Sequence, residues 1–327
     1  MAFGTGIDGQ FGLAPETVFG TFVPPVRFLE IMPGESVKAA MAQFTKTTLG
    51  GMVQRTDGVR SYSSGAAGDV SFEVATKGFG ALLKQCFGFG ASAQVASTVE
   101  YTQTFHPDMA TGGNGVSASL QFGRPQTSGV VTPFSYVGAK VTEFEFTSEL
   151  DAALQLSTTW DAVSEDTSKA LGVNTLLSGS QPYIFIDATV TIGGVASCVK
   201  SLSVKGTRAL ATDRRCLGPV TTKKEQVANG KFEITGEMVT EFSSMAEYNK
   251  FIAGTTSALV ATFAVGTIPT LAVPYQLVMT LPAIMYTGDT PALEDAGPLT
   301  LTMPFMGLFN GTNPAWEIVI HTDETAL

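Results

Sequence analysis

Gly4, Gly6 and Gly9 stand in the order G-x-G-x-x-G, the spacing with which a dinucleotide-binding loop turns its backbone amides toward a pyrophosphate. That chemistry needs a strand before the first glycine and a helix after the last. Here the motif lies at the extreme N-terminus with neither, so it reads as a flexible or extended arm. Histidine is scarce: His106 and His321 are the only two. Neither belongs to a nucleophile motif such as G-x-S-x-G, and His321 ends an alternating segment beside Asp323 and Glu324, where solvation explains it. Cys86, Cys198 and Cys216 form no C-x-x-C pair, and no His, Cys or carboxylate pair falls at metal-ligand spacing. Glu294 and Asp295 sit side by side in a proline-flanked loop that calls for nothing beyond solvation. Folding could still pair distant carboxylates. The sequence itself nominates no catalytic residue, no metal ligand and no cofactor, and it reads as non-enzymatic.

Five glutamates form a more informative set. Glu143 and Glu145 alternate with Phe144 and Phe146 in KVTEFEFT. Glu233, Glu237 and Glu241 alternate with Phe232, Ile234, Met238 and Phe242. They occupy the polar faces of strands whose other faces are apolar. In an isolated domain that is an ordinary solvated sheet surface. In an assembly it is the inner wall of a tube, with one sheet face lining a wet channel.

The elements that must carry them are β-strands. The chain has 327 residues, 44% hydrophobic and 15% charged, with 35 glycines, and it is rich in β-branched residues and threonine. Its length allows about two domains. With 19 basic and 29 acidic residues the net charge is −10 and no basic block occurs, which disfavours a phosphate-gripping nucleic-acid binder. Acidity suits a surface past which DNA slides without sticking. Cys86 falls on the apolar stripe of a predicted helix, Cys198 and Cys216 could pair only by geometry the sequence does not give, and a reducing compartment is the plainer reading. The N-terminus lacks the pattern of a signal peptide, and the apolar runs are too short to span a membrane.

Two stretches share one plan. GDVSFEVATKGFGALLKQCFG (68–88) and GKFEITGEMVTEFSSMAEYNKFIAG (230–254) each read as glycine turn, alternating strand, short apolar helix and closing glycine. Gly230 follows Gly68 by 162 positions, about half the chain, and Leu299 follows Val141 by 158. Order and offset together suggest duplication, with one unit at 1–180 and the other at 181–327. Each unit has a long polar connection, 37–67 and 207–230. The first contains Asp57-Gly58, a two-residue hairpin turn signal. The spacing of apolar residues predicts a first strand over Val23–Glu30, a helix carrying Phe79, Leu82, Leu83, Cys86 and Phe87, and a strand from Ile184 to Ile192. It also predicts a hairpin joining KVTEFEFT to LQLSTTW, and a capping box of Ser244 and Glu247 opening the second helix. Strands follow at 258–265, 276–284, 299–306 and 315–321.

These features, with YTQTFHP, the later strand ALVATF and the N-terminal FGLAPETVFGTFVPPVRFLEI, resemble the tail tube (major tail) proteins of long-tailed, siphovirus-type bacteriophages over most of the chain. The resemblance implies a mainly β fold: two similar β-sandwich or barrel-like tail-tube domains, each with one short helix, forming a ring. It implies a structural virion protein whose rings stack into the hollow tube that conducts DNA into the host, made in the host cytoplasm and located in the virion tail. Its implied partners are itself, the tape-measure protein, the tail terminator and distal tail proteins; DNA passes without specific binding, and no membrane is involved. Two tube domains per chain favour three chains per ring, with six as the alternative. The loop reaching into the next ring would have Gln54, Arg55, Thr56, Asp57, Gly58, Val59 and Arg60 at its tip, with 207–230 as its counterpart, and the five glutamates would face the lumen. A receptor-binding or adhesive β-sandwich of a virion is the competing reading.

Overall fold

The computed structural model describes residues 4–45, 59–108, 113–218, 223–242, 244–288 and 299–327. The first part of the chain contains strands β1 (Gln10–Pro15), β2 (Arg27–Leu29), β3 (Lys38–Thr45) and β4 (Val59–Glu73), helix α1 (Gly80–Phe87), and strands β5 (Gly88–Gln94), β6 (Tyr101–Pro107), β7 (Ala118–Pro125), β8 (Val131–Glu149), β9 (Gln155–Ala162) and β10 (Ser164–Asp166). The second part contains β11 (Ala188–Ile192), β12 (Val195–Ala196), β13 (Val199–Leu210) and β14 (Ala228–Glu241), helix α2 (Ala246–Ala253), and β15 (Ser257–Val265), β16 (Tyr275–Tyr286), β17 (Thr300–Gly307) and β18 (Glu317–Thr322). The fold is mainly β, and every pairing of these strands is antiparallel.

One continuous run of strands dominates, in the order β3-β4-β9-β8-β13-β14-β17-β16. β8 is long because it serves two neighbourhoods. Its first part pairs with β7 and β10, and its second part pairs with β9 and β13. The pairings of the first part recur in the second in the same chain order. β1–β2, β1–β7, β7–β8, β8–β10, β8–β9, β9–β4 and β4–β3 match β11–β12, β11–β15, β15–β16, β16–β18, β16–β17, β17–β14 and β14–β13. The hairpin β5–β6 is an addition to the first part, and it pairs across onto β18. By this pattern β8, which holds Val141, corresponds to β16, and β9 corresponds to β17. The offset between Val141 and Leu299 therefore compared strands that occupy different positions.

Both helices end as their glycines require. Gly88 (φ 84°) and Gly254 (φ 62°) adopt the left-handed conformation that lets an amide reach back to the last turn, bonding Lys84 O in α1 and Lys250 and Phe251 O in α2. The apolar stripe Leu82, Leu83, Cys86 and Phe87 is buried as its spacing predicts. The start of α2 differs from expectation. Met245 is its N-cap, and Ser244, one residue earlier, accepts the Ala246 amide on its Oγ at 3.3 Å. Glu247 instead accepts a hydrogen bond from the Tyr286 hydroxyl (2.7 Å) and pairs with Lys250 (2.8 Å).

Two strand boundaries also differ. The first strand is β1, where Phe11 and Leu13 are fully buried, and only Arg27–Leu29 of the Val23–Glu30 segment pairs. Ile184 leads into a 3-10 turn over Phe185–Asp187, so β11 begins at Ala188.

A single apolar cluster spans both parts of the chain. At its centre the Trp316 indole lies 5.0 Å from Phe87, 5.3 Å from Phe144 and 5.8 Å from Phe146, with Phe232 stacked 6.4 Å from Phe87. Each such pair adds about 0.5–1.5 kcal/mol beyond simple burial. The connection from β13 to β14 is docked on the first part of the chain. Lys140, fully buried, donates from Nζ to Asn114 O (3.0 Å), Glu225 Oε1 (2.8 Å) and Gln226 O (2.9 Å). Gln226 Nε2 donates to Gly138 O (3.1 Å) and Asp161 Oδ2 (2.8 Å), and Lys223 pairs with Asp161. Residues 223–227 are thus held in place, unlike a projecting loop.

Candidate functional site

The alternation that buries Phe144 and Phe146 turns Glu143 and Glu145 to the opposite face of the sheet. Register then decides which side chains share that face. Across the strands, Asp69, Thr159, Glu143, Thr207 and Glu233 stand in one row, and Ser71, Ser157, Glu145, Lys205 and Thr235 stand in the next. A third row runs through Glu73, Gln155, Thr147, Ser203 and Glu237. Glu241 lies further along β14, opposite Thr300. All five glutamates singled out in the sequence therefore lie on one broad polar face.

That face is a field of acids and hydroxyls with few cations. Lys205 Nζ pairs with Glu143 Oε2 at 2.6 Å and Lys200 with Glu241 at 3.2 Å. Ser71 and Ser157 hydroxyls share a 2.9 Å hydrogen bond, and Thr159 donates to Asp69 (2.7 Å). Such exposed pairs contribute about 0–1 kcal/mol each, so the net character of the face remains acidic and wet. The opposite face is the apolar core.

The same sheet has an unpaired border. β3 bonds β4 on one side and no other described strand on its second side. Its outer positions expose Met41 and Phe44, and Val59 and Tyr62 of the adjoining strand are also exposed. Inside the chain the comparable border is closed, since β13 is covered by β8 through Phe144–Gly206 and Phe146–Val204.

The remaining sequence candidates are structural. Gly6–Asp8 forms a 3-10 turn closed by Asp8, whose carboxylate accepts the Thr5 amide at 2.8 Å, and β1 follows where a nucleotide-binding loop would have a helix. His106 stacks on Phe89 with ring centroids 4.2 Å apart. His321 is not simply solvated: its Nδ1 lies 2.7 Å from Glu100 Oε1, tying β18 to the turn before β6. Cys86 is buried in α1, and burial pushes its thiol above the ordinary range, while Cys198 and Cys216 are exposed free thiols. Among the described residues no group of three His, Cys, Asp or Glu side chains could hold a metal ion. Val59 and Arg60 open β4, paired with Thr45 and Phe44. Gln54, Arg55, Thr56, Asp57 and Gly58 lie outside the described residues, as do Glu294 and Asp295.

The residues that sequence reasoning missed are the buried anchors Lys140, Asp161 and Gln226. A lysine inside an apolar strand (GAKVTEF) is the one signal that could have found them. A family model described as "Phage tail tube protein" matches residues 6–307. No curated protein matches the chain.

Proposed function

The chain belongs to the phage tail tube protein family and is a structural protein of the virion tail; from that premise we propose that it builds the tube from rings of three chains, each supplying two tube domains. The domains correspond to residues 1–180 and 181–327. The observation that carries this reading is the recurrence of the whole pairing pattern, β1 to β10 and then β11 to β18, within one chain.

The seam between β8 and β13 supplies the template for closure. There, the border of one unit is satisfied by the next through backbone hydrogen bonds, and the exposed side of β3 is the corresponding border left open. Pairing it to the strand continuing from β16 of another chain closes the ring and removes an edge that otherwise invites indiscriminate association. Three chains give six units; six chains would be needed if only one part of each served as a tube domain.

In such a ring the polar face turns to the lumen, with Glu143, Glu145, Glu233, Glu237 and Glu241 among its acids. DNA phosphates moving through it meet like charge screened over about 8 Å at physiological salt, too weak to block entry and sufficient to prevent lodging. The work is assembly and conduction with no covalent step, and the tape-measure protein occupies the channel before DNA. The subunits are made in the host cytoplasm, and the tail terminator and distal tail proteins close the two ends. The 37–67 connection, with 54–60 at its tip, reaches the neighbouring ring. A receptor-binding module gains no support from the family match. Native mass spectrometry of the smallest closed assembly tests the count: a mass of three chains is expected, and six chains would overturn it.

A further inference from the structure

The two helices occupy equivalent places and differ sharply in cover. In α1 every residue except Lys84 is buried, whereas no residue of α2 is buried. The contrast is sharpest two residues before the closing glycine. Cys86, before Gly88, is fully buried, and Ile252, before Gly254, is 65% exposed.

α1 packs on β1, β5, β6 and β8 of its own part, and its end is also reached from the other part of the chain. Arg208 of β13, buried, reaches it and donates from Nη1 to Gln85 O at 2.7 Å. The counterpart of Arg208 can be read from the registers. Gly68 faces Trp160 of β9, and Gly236 faces Phe305 of β17. Beside each glycine stands a buried valine of the adjoining strand, Val37 in the first case and Val204 in the second. Four positions beyond Val204 is Arg208, and four positions beyond Val37 is Met41. Met41 is 63% exposed, on the strand with the open border.

Resting on the ring reading above, we propose that the α2 face bearing Ile252 is the docking surface for Met41 of β3 in a second copy of this chain. Inside the chain, strand β13 delivers a guanidinium to a helix end and satisfies a carbonyl. Between chains, strand β3 delivers an apolar thioether to an apolar side chain. Both partners are large, exposed and uncharged, and burying them against each other is favourable, in contrast to leaving each in water. The occupant is a second copy because within one chain the end of α1 is bonded by Arg208 of the adjoining unit, and β3 is the strand that holds the matching position in the next.

Cysteine crosslinking tests this. In a Cys198→Ser, Cys216→Ser background, chains carrying only Met41→Cys are mixed with chains carrying only Ile252→Cys and then oxidised. Assembled tubes are expected to yield disulfide-linked pairs of chains, absent from unassembled subunits and from either single variant alone. Ile252→Glu should melt at the wild-type temperature and fail to form tubes at concentrations where wild type does. Tubes that form without the crosslink, together with normal assembly of Ile252→Glu, would overturn the docking surface and leave the ring reading standing. If wild-type chains form no tubes or rings, both fall together.

Discussion

Gly206 lies directly opposite Phe144 across the β8–β13 pairing, and the Phe144 ring occupies the space beside the glycine. A Cβ added there would stand 2.7 Å from Phe144 Cζ and 3.0 Å from Phe232 Cζ. Because Gly206 has no left-handed φ, alanine tests packing alone. Gly206→Ala is expected to cost about 1–3 kcal/mol through overpacking. Urea unfolding should show it as a lower midpoint at unchanged slope, and Phe144→Leu in the same chain should restore part of the loss.

Lys140 is the buried post on which the β13–β14 connection is hung. Desolvation lowers its proton affinity, and Glu225 partly restores it. Lys140→Ala leaves two carbonyls and a carboxylate without their donor, which should cost about 2–3 kcal/mol. Limited proteolysis offers a local readout, since cleavage within 211–227 should accelerate more than cleavage elsewhere.

Tyr136 predicts an alkaline limit. Burial is the main reason its hydroxyl is pushed up to about 12, against about 10 for a free tyrosine. A group whose folded value is raised contributes stability that is full below pH 10 and is lost as pH climbs through 12. Tyr183 and Tyr286 are shifted in the same direction, again chiefly by burial. Stability of the wild type should therefore fall between pH 10 and pH 12. Tyr136→Phe should start less stable, because it loses the bond to Val37 O (3.1 Å), and fall less steeply across that window. Parallel slopes would contradict the assignment.

Glu143→Lys with Glu145→Lys reverses charge on the polar face without touching the core. The fold should survive, losing no more than about 1 kcal/mol from the broken Lys205 pair and its replacement by like charges. Virions carrying the pair of changes are expected to release DNA more slowly. Unaltered ejection kinetics would count against a lumen-facing position.

Removing residues 46–58 and joining Thr45 to Val59 through Asn-Gly keeps the β3–β4 pairing, which begins at those two residues. Soluble, folded subunits that do not stack are expected by electron microscopy. Normal striated tubes would take this loop out of the contact between rings.

Much of the fold was legible because its signals are local. Alternation in KVTEFEFT and LQLSTTW gave β8 and β9, and their hairpin follows from proximity. Gly88 and Gly254 marked the helix ends through a conformation that other residues rarely adopt. The missed elements have a common cause. β1 is short, with Gly12 in its middle packed against Phe28, and its four consecutive buried residues, Phe11 to Ala14, give no alternation. β5 is GFGASAQ, whose small residues gain strand structure from pairing with β6 and thus from tertiary context. Ser244 and Glu247 had the right spacing for a cap, yet Tyr286 competed successfully for the carboxylate. The five glutamates were readable as one polar class, but their arrangement in rows needed registers that only folding supplies.

The open side of β3 carries a thermodynamic corollary. A border satisfied by another molecule makes the folded state subject to mass action, so the melting temperature of the assembled form should climb with protein concentration while that of dispersed subunits stays flat. Growth from such borders is slow until a first closed nucleus exists and rapid afterwards. A lag that shortens steeply on adding preformed seeds would be its kinetic mark.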